Sequence, residues 1–206
     1  MFKNRTDAGH QLANVLDDHD LKADLVLAIP RGGLPVGRIV ADRLDIPLDI
    51  VSARKLGAPS NPELAIGAVA SDGSVWLDHT IIDVYEVEQE YLDEQIEREQ
   101  AVAQEKVDRY RVDRAPLELT DKTVLIVDDG VATGATVTAC IRFVKNARAE
   151  RVIVAMPVAP PDTVGRLLTE ADEVICVETP PHFRAVGQFY ESFAQVSDDQ
   201  ARTYLK

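Results

Sequence analysis

The chain has 206 residues, 46% of them hydrophobic, and a formal net charge of −13; that length and apolar share suit one α/β domain with a substantial core. Neutralising phosphates requires Lys and Arg in excess, so the charge argues against a nucleic-acid partner. No apolar run reaches bilayer-spanning length, and Phe2-Lys3-Asn4-Arg5 leads into polar sequence, so a soluble, cytoplasmic protein with no membrane partner is expected.

Residues 6–19 carry helical apolar spacing at Ala8, Leu12, Val15 and Leu16, with Thr6 and Asp7 as candidate caps. Residues 24–30 read as a buried strand ending at Pro30, and 32–45 as a helix entered through a glycine pair. A second strand spans 47–55, and residues 56–66, rich in Gly, Pro, Ser and Asn, read as a loop. Residues 67–77 read as a hairpin turning at Asp72-Gly73, with Trp76 as packing. A long helix over 86–114, dense in Glu, Gln and Arg, is expected to run in solvent on i,i+4 ion pairs until Pro116 stops it. Strands at 122–129, 151–159 and 172–180 then alternate with helices at 133–147 and 161–171. Alternation of this kind predicts a doubly wound, mainly parallel five-stranded sheet, with residues from about 179 to 206 and the N-terminal segment forming a small hood of the same domain. Cys140 and Cys176 lack metal or redox spacing and read as packing residues. His10, His19 and His79 show no ligand spacing.

The segment VLIVDDGVATGATVTA, residues 124–139, carries the chemistry. In a parallel sheet the ligand site lies beyond the carboxyl ends of the strands, where Asp128 and Asp129 fall. Gly130 and Gly134 permit unusual backbone conformations, and Ala132 and Ala135 keep side chains short, so successive N–H groups can converge on one anion. A helix N-terminus adds its positive dipole end, and Thr133 and Thr136 add hydroxyl donors. Two carboxylates beside a phosphate require a diol or a metal as their own partner. A phosphate cradle next to a diol clamp describes a ribose 5-phosphate site.

This segment resembles the phosphoribosyl-diphosphate (PRPP) motif of type I phosphoribosyltransferases. AIPRGG (28–33) is similar to the pyrophosphate loop of that family, and SARKLGAP (52–59) to the basic strand end that opens its flexible catalytic loop. The resemblance implies transfer of 5-phosphoribosyl from PRPP to a nucleobase-like acceptor, release of pyrophosphate, dependence on Mg²⁺, and a homodimer. It implies Asp128 and Asp129 as catalytic diol clamp and metal residues, acting through water. Gly130, Val131, Ala132, Thr133, Gly134, Ala135 and Thr136 would bind the 5-phosphate. Arg31, Gly32 and Gly33 would form the pyrophosphate nest, with Arg54 and Lys55 as catalytic cations on the leaving group and the loop 56–66 as a lid. The acceptor would lie between Val131 and the hood, where His182, Phe183, Phe189 and Tyr190 offer a hydrogen bond and stacking surfaces. Ala132 looks like the adenine and uracil enzymes, whereas PRGGLPVG is closer to the xanthine–guanine enzymes, so the base stays open.

Other readings fit less well. A receiver domain opening at VLIVDD needs roughly 120 residues beyond the acids, more than follow here. No G-x-x-x-x-G-K-S/T occurs, which removes a triphosphatase P-loop. A non-catalytic PRPP or nucleotide sensor on the same fold is the second function class, and it lacks a basic stripe or a DNA-binding segment here. A PRPP-forming enzyme needs a longer, two-lobed chain.

The acidic residues are spread along the whole chain, and arginine outnumbers lysine. This balance is that of proteins adapted to high salt, where screening quiets carboxylate repulsion. Dialysis to low salt is therefore expected to reduce ellipticity and activity together; retention of both would remove the halophilic reading.

Overall fold

A computed structural model describes residues 1–112 and 114–206. Five parallel strands, β1 (Leu25–Ala28), β2 (Leu48–Ile50), β6 (Thr123–Val127), β7 (Arg151–Val158) and β8 (Glu173–Glu178), form the main sheet in the order β2-β1-β6-β7-β8. Their side chains alternate between two cores, as the period of a strand requires. Leu125, Val127, Ile153 and Ala155 join α1 (Arg5–Asp18) and α2 (Gly33–Leu44) on one face. Val124, Ile126, Val152 and Val154 join α5 (Ala135–Asn146) and α6 (Pro161–Leu167) on the other. Both faces being covered explains why the strands read as continuous apolar runs. Cys140 packs within the second core, and the half-buried Cys176 donates to the Glu178 carbonyl.

The expected strand 47–55 is two strands. β2 stays in the main sheet, but at Ser52 the chain changes partner: the Ser71 amide donates to the Ser52 carbonyl at 3.0 Å. Residues Ala53–Ala58 become β3, which pairs antiparallel with β4 (Asn61–Ala70), and β4 pairs with β5 (Val75–Leu77). The expected loop 56–66 is therefore a projecting β-arm with register shifts on either side of Gly57. Backbone pairing between β3 and β4 outweighs the Gly, Pro and Asn content, and Pro62 sits near the exposed tip where no central ladder is interrupted. The expected turn at Asp72-Gly73 is present, with Gly73 at φ +89°.

A short helix α3 (His79–Val84), capped by the Asp78 carboxylate accepting from the Ile81 amide, was not expected from periodicity. Helix α4 (Gln89–Tyr110) is the long charged element, and position 113 of its expected span lies outside the described residues. One face of α4 covers the arm through Leu92, Tyr91 and Ile96, packed with Leu56, Ile66 and Val69. The helix stops at Tyr110, well before Pro116, because Arg111 turns inward to the edge strand. No helix among the described residues is long and apolar enough to cross a membrane.

Edge strand β2 is held there by charge. Asp49 is 7% exposed; its carboxylate accepts from Arg111 Nε at 3.0 Å and pairs with Arg114 Nη1 at 3.2 Å. Arg114 also donates to the Leu48 and Leu205 carbonyls, tying β2 to the residues that follow the C-terminal helix α7 (Asp198–Thr203). Removing one member of a buried ion cluster leaves the others uncompensated. Asp49→Ala is expected to cost about 3 to 5 kcal/mol, read from urea unfolding midpoints; a change within experimental error would show that water already serves the two arginines.

Candidate functional site

Strand order places a topological switch between β1 and β6, because the chain winds outward from this pair in both directions. Two loops emerge side by side at that crevice. One is residues 29–33, the other the turn that follows Val127. The Ile29 amide donates to the Val127 carbonyl at 2.9 Å, and a Cβ on Gly33 would stand 2.7 Å from that same carbonyl oxygen. A Cβ on Gly32 would stand 2.1 Å from Asp129 Oδ2. Glycine at 32 is thus required by the carboxylate lying against it. The Pro30–Arg31 peptide is cis.

The two acids, adjacent in sequence, face different surroundings. Asp128 lines a cavity of about 220 Å³ whose other walls are residues 130–137 and Val186. Asp129 is 8% exposed and turns toward the N-terminal helix, where its Oδ2 accepts from Arg5 Nε at 2.6 Å. Arg5 also donates to the Ala194 carbonyl at 2.6 Å and lies 3.9 Å over the Phe193 ring. The Asp129 amide donates to Asp128 Oδ1 at 2.8 Å, and the Tyr190 hydroxyl donates to the Asp129 carbonyl at 2.5 Å. Burial and the adjacent carboxylate push Asp128 well above the ordinary carboxylate range. Burial raises Asp129 as well, with Arg5 pulling against it. Burial also raises the Tyr190 phenol, so it stays a donor.

The loop after the acids is shaped for main-chain donors. Gly134 adopts φ +78°, and a Cβ on Gly130 would meet Val186 Cγ1 at 2.5 Å. From α6, Thr163 Oγ1 donates to the Ala132 carbonyl at 2.6 Å and Arg166 to the Thr133 carbonyl at 2.8 Å. These bonds turn the carbonyls toward α6. Among the described residues, the amides of residues 132–136 find no intramolecular acceptor, whereas the Val131 amide is taken by the Val158 carbonyl. A helix N-terminus with bare amides facing a cavity is an anion site on general grounds. Thr133 and Thr136 both line it.

Not every residue expected at the site meets there. Arg31 lies in a neighbouring cavity, 3.7 Å from Asp198. Arg54 pairs with Glu99 at 3.0 Å, and Lys55 with Glu63 at 3.3 Å on the arm. His182 and Phe183 line a separate cavity of about 580 Å³, with Phe183 against Phe189 at 5.0 Å between centroids. Tyr190 stacks on Phe2 and Phe193. Arg5, Thr163, Arg166 and Val186 escape a motif search: Arg5 is 124 positions from Asp129, and only folding brings them together. The sole sequence cue for Arg5 is an isolated cation opening a helix.

A family model described as the phosphoribosyl transferase domain matches residues 3–193. The chain belongs to the phosphoribosyl transferase family. Two Mycobacterium tuberculosis proteins, from strains CDC 1551 / Oshkosh and ATCC 25618 / H37Rv, provisionally carry the name phosphoribosyl transferase. Each is 42% identical over 206 residues, covering 100% of this chain and 46% of its own length, so the chain spans about half of these curated relatives. The crystal structure of TT1426 from Thermus thermophilus is 40% identical, with a TM-score of 0.83 over 100% of this chain and 97% of that one. AQ2163 from Aquifex aeolicus, 13% identical with a TM-score of 0.53 over 98% of this chain and 83% of that one, shares the fold. The parallel sheet of this family member is the type I phosphoribosyltransferase fold, and the acid pair stands at its switch point.

The raised Asp128 carboxyl carries a stability consequence. Ionised Asp128 opposes folding above its raised folded pKa; below its unfolded value, about 4, both states are protonated and the penalty vanishes. Asp128→Asn keeps the oxygen that accepts from the Asp129 amide. Scanning calorimetry is expected to show a melting temperature raised by about 3 °C or more at pH 8, with the gain closing toward pH 4. An unchanged or lowered melting temperature at pH 8 would refute the penalty.

Proposed function

We propose that the chain transfers 5-phosphoribosyl from PRPP to a nucleobase-like acceptor and releases pyrophosphate, with Mg²⁺. The observation that carries this reading is the row of unpartnered amides at residues 132–136, facing a cavity of about 220 Å³ with the Asp128 carboxylate in its wall. Few ligands need a phosphate cradle and a carboxylate side by side; a phosphorylated sugar with free hydroxyls does.

In this proposal Gly130, Val131, Ala132, Thr133, Gly134, Ala135 and Thr136 hold the 5-phosphate by main-chain amides and the two threonine hydroxyls. Asp128 accepts from the ribose hydroxyls and favours positive charge on the ring as the C1–oxygen bond to pyrophosphate lengthens. Asp129 acts from behind, held by Arg5 against Gly32, so that the pyrophosphate loop and the acids keep a fixed spacing. The main chain at Gly32 and Gly33, with Arg31, Arg54 and Lys55, serves the leaving group. For Arg54 and Lys55 this requires the β3–β4 arm to bring them over, exchanging Glu99 and Glu63 for phosphate. Val131 and Val186 are the acceptor-side contacts; His182 and Phe183, in their own cavity, are secondary candidates.

The donor set fits Mg²⁺. One half-buried carboxylate reaches the cavity, and among the described residues no group of three or more acidic, His or Cys side chains could hold a metal. Most ligands would then be substrate oxygens and water, as this ion prefers. Asp128 is the side chain that would hold it, directly or through water, and the ion would supply positive charge to offset that of the leaving group.

Pyrophosphate release from PRPP with a panel of purine, pyrimidine and other nitrogen-heterocycle acceptors tests the reading. At least one acceptor is expected to give turnover, and Asp128→Asn to lower kcat by about a hundredfold or more. Tight PRPP binding without turnover on any acceptor would favour the sensor; no PRPP binding would overturn both.

A further inference from the structure

A second cavity of about 240 Å³ opens beside the pyrophosphate loop, between α4 and α7. Its polar walls are Arg31, Glu105, Lys106, Arg109, Tyr110 and Asp198. Three cations against two carboxylates leave it net positive, in a chain whose net charge is −13. Arg109 is held by Glu105 at 2.6 Å and Asp198 at 3.3 Å, and Asp198 also accepts from the Tyr110 hydroxyl at 2.6 Å. Arg31, at 3.7 Å from Asp198, is too far for a hydrogen bond and keeps its donors. Lys106 has no ion-pair or hydrogen-bond partner among the described residues.

Lys106 is half-buried, and its ammonium is disfavoured by burial first, then by Arg54 and Arg31. Lysine stems ordinarily carry the head out to water or to a carboxylate. Here the head shares a cavity with Arg31, whose next residue, Gly32, lies under Asp129. An ammonium without a counter-ion, beside a guanidinium that keeps free donors, favours the arrival of a multivalent anion.

We propose that Lys106 and Arg31 form the outer wall of the leaving-group subsite and bind a condensed phosphate, the diphosphate of the substrate and the pyrophosphate product. The inference rests on the transfer reading above and assigns Lys106 a role within it. The Glu105–Arg109–Asp198–Tyr110 chain positions Lys106 by tying α4 to α7. An ammonium at this place supplies movable donors without matching a fixed geometry. No bond to Lys106 forms or breaks; its ammonium offsets the negative charge that grows on the departing pyrophosphate.

Isothermal titration of the full chain with pyrophosphate, ribose 5-phosphate and PRPP, for wild type, Lys106→Met and Lys106→Arg, tests this. Lys106→Met is expected to weaken pyrophosphate and PRPP about tenfold, as loss of a charge-assisted bond does. Ribose 5-phosphate, lacking the diphosphate, should bind unchanged and so report an intact cradle; Lys106→Arg should restore most of the affinity. Equal pyrophosphate affinity in wild type and Lys106→Met, with PRPP bound by both, would overturn the Lys106 assignment alone. Parallel loss of ribose 5-phosphate would also overturn it, marking a structural role. Lys106-dependent pyrophosphate binding without PRPP binding would overturn the transfer reading and leave the anion subsite standing. Wild type binding none of the three would overturn both.

Discussion

Two carboxylates stand side by side at the buried tip of β6, and the site is organised around the cost of keeping them there. Burial and mutual repulsion both oppose their ionisation. The surroundings answer with Arg5, which reaches across the molecule to Asp129 Oδ2, and with the Asp129 amide, which donates to Asp128 Oδ1. Arg5 is fixed in turn by the Ala194 carbonyl and the Phe193 ring. The first helix and the C-terminal segment are therefore brought over the strand ends by the same charge that Asp129 presents.

That arrangement divides the labour between two identical side chains. Asp129 is ion-paired and packed over Gly32, so it acts on the spacing between the two loops. Asp128 meets the cavity. The hood belongs to the same construction: the Phe2 amide donates to the Phe189 carbonyl, the Glu191 amide to the Phe2 carbonyl, and the Tyr190 hydroxyl to the Asp129 carbonyl. Loosening the N-terminal helix would free Asp129 and shift the roof of the cavity at once, because Val186 is part of that roof and packs with Phe2 and Tyr190.

The turn that follows the acids shows a comparable economy. Gly134 in the left-handed region opens α5, but backbone geometry alone does not leave the amides free. Thr163 and Arg166 on α6 accept the task of satisfying the Ala132 and Thr133 carbonyls, which would otherwise compete for orientation. Charge is divided between two cavities: Asp128 shares one with the bare amides of residues 132–136, and Arg31 and Lys106 line the other.

The sheet and the acid–glycine–hydroxyl turn were legible in the chain because their signals are local. Apolar runs flanked by turn residues fix a strand, and residues 128–136 carry their chemistry in consecutive positions. The arm, α3 and the early end of α4 were not legible. Each depends on a partner distant in sequence: Ser71 for the departure of β3, the arm itself for Ile81 and Ile82 of α3, Asp49 for Arg111 at the end of α4. By itself the sequence determined the strand–helix alternation and the presence of a glycine–hydroxyl turn beside two acids, since short-range sterics and hydrophobic period suffice for both. Tertiary structure alone decided which acid faces the cavity, that Arg5 neutralises the other, and that Lys106 stands beside Arg31. Those are matters of through-space charge, and electrostatic attraction takes no account of position along the chain.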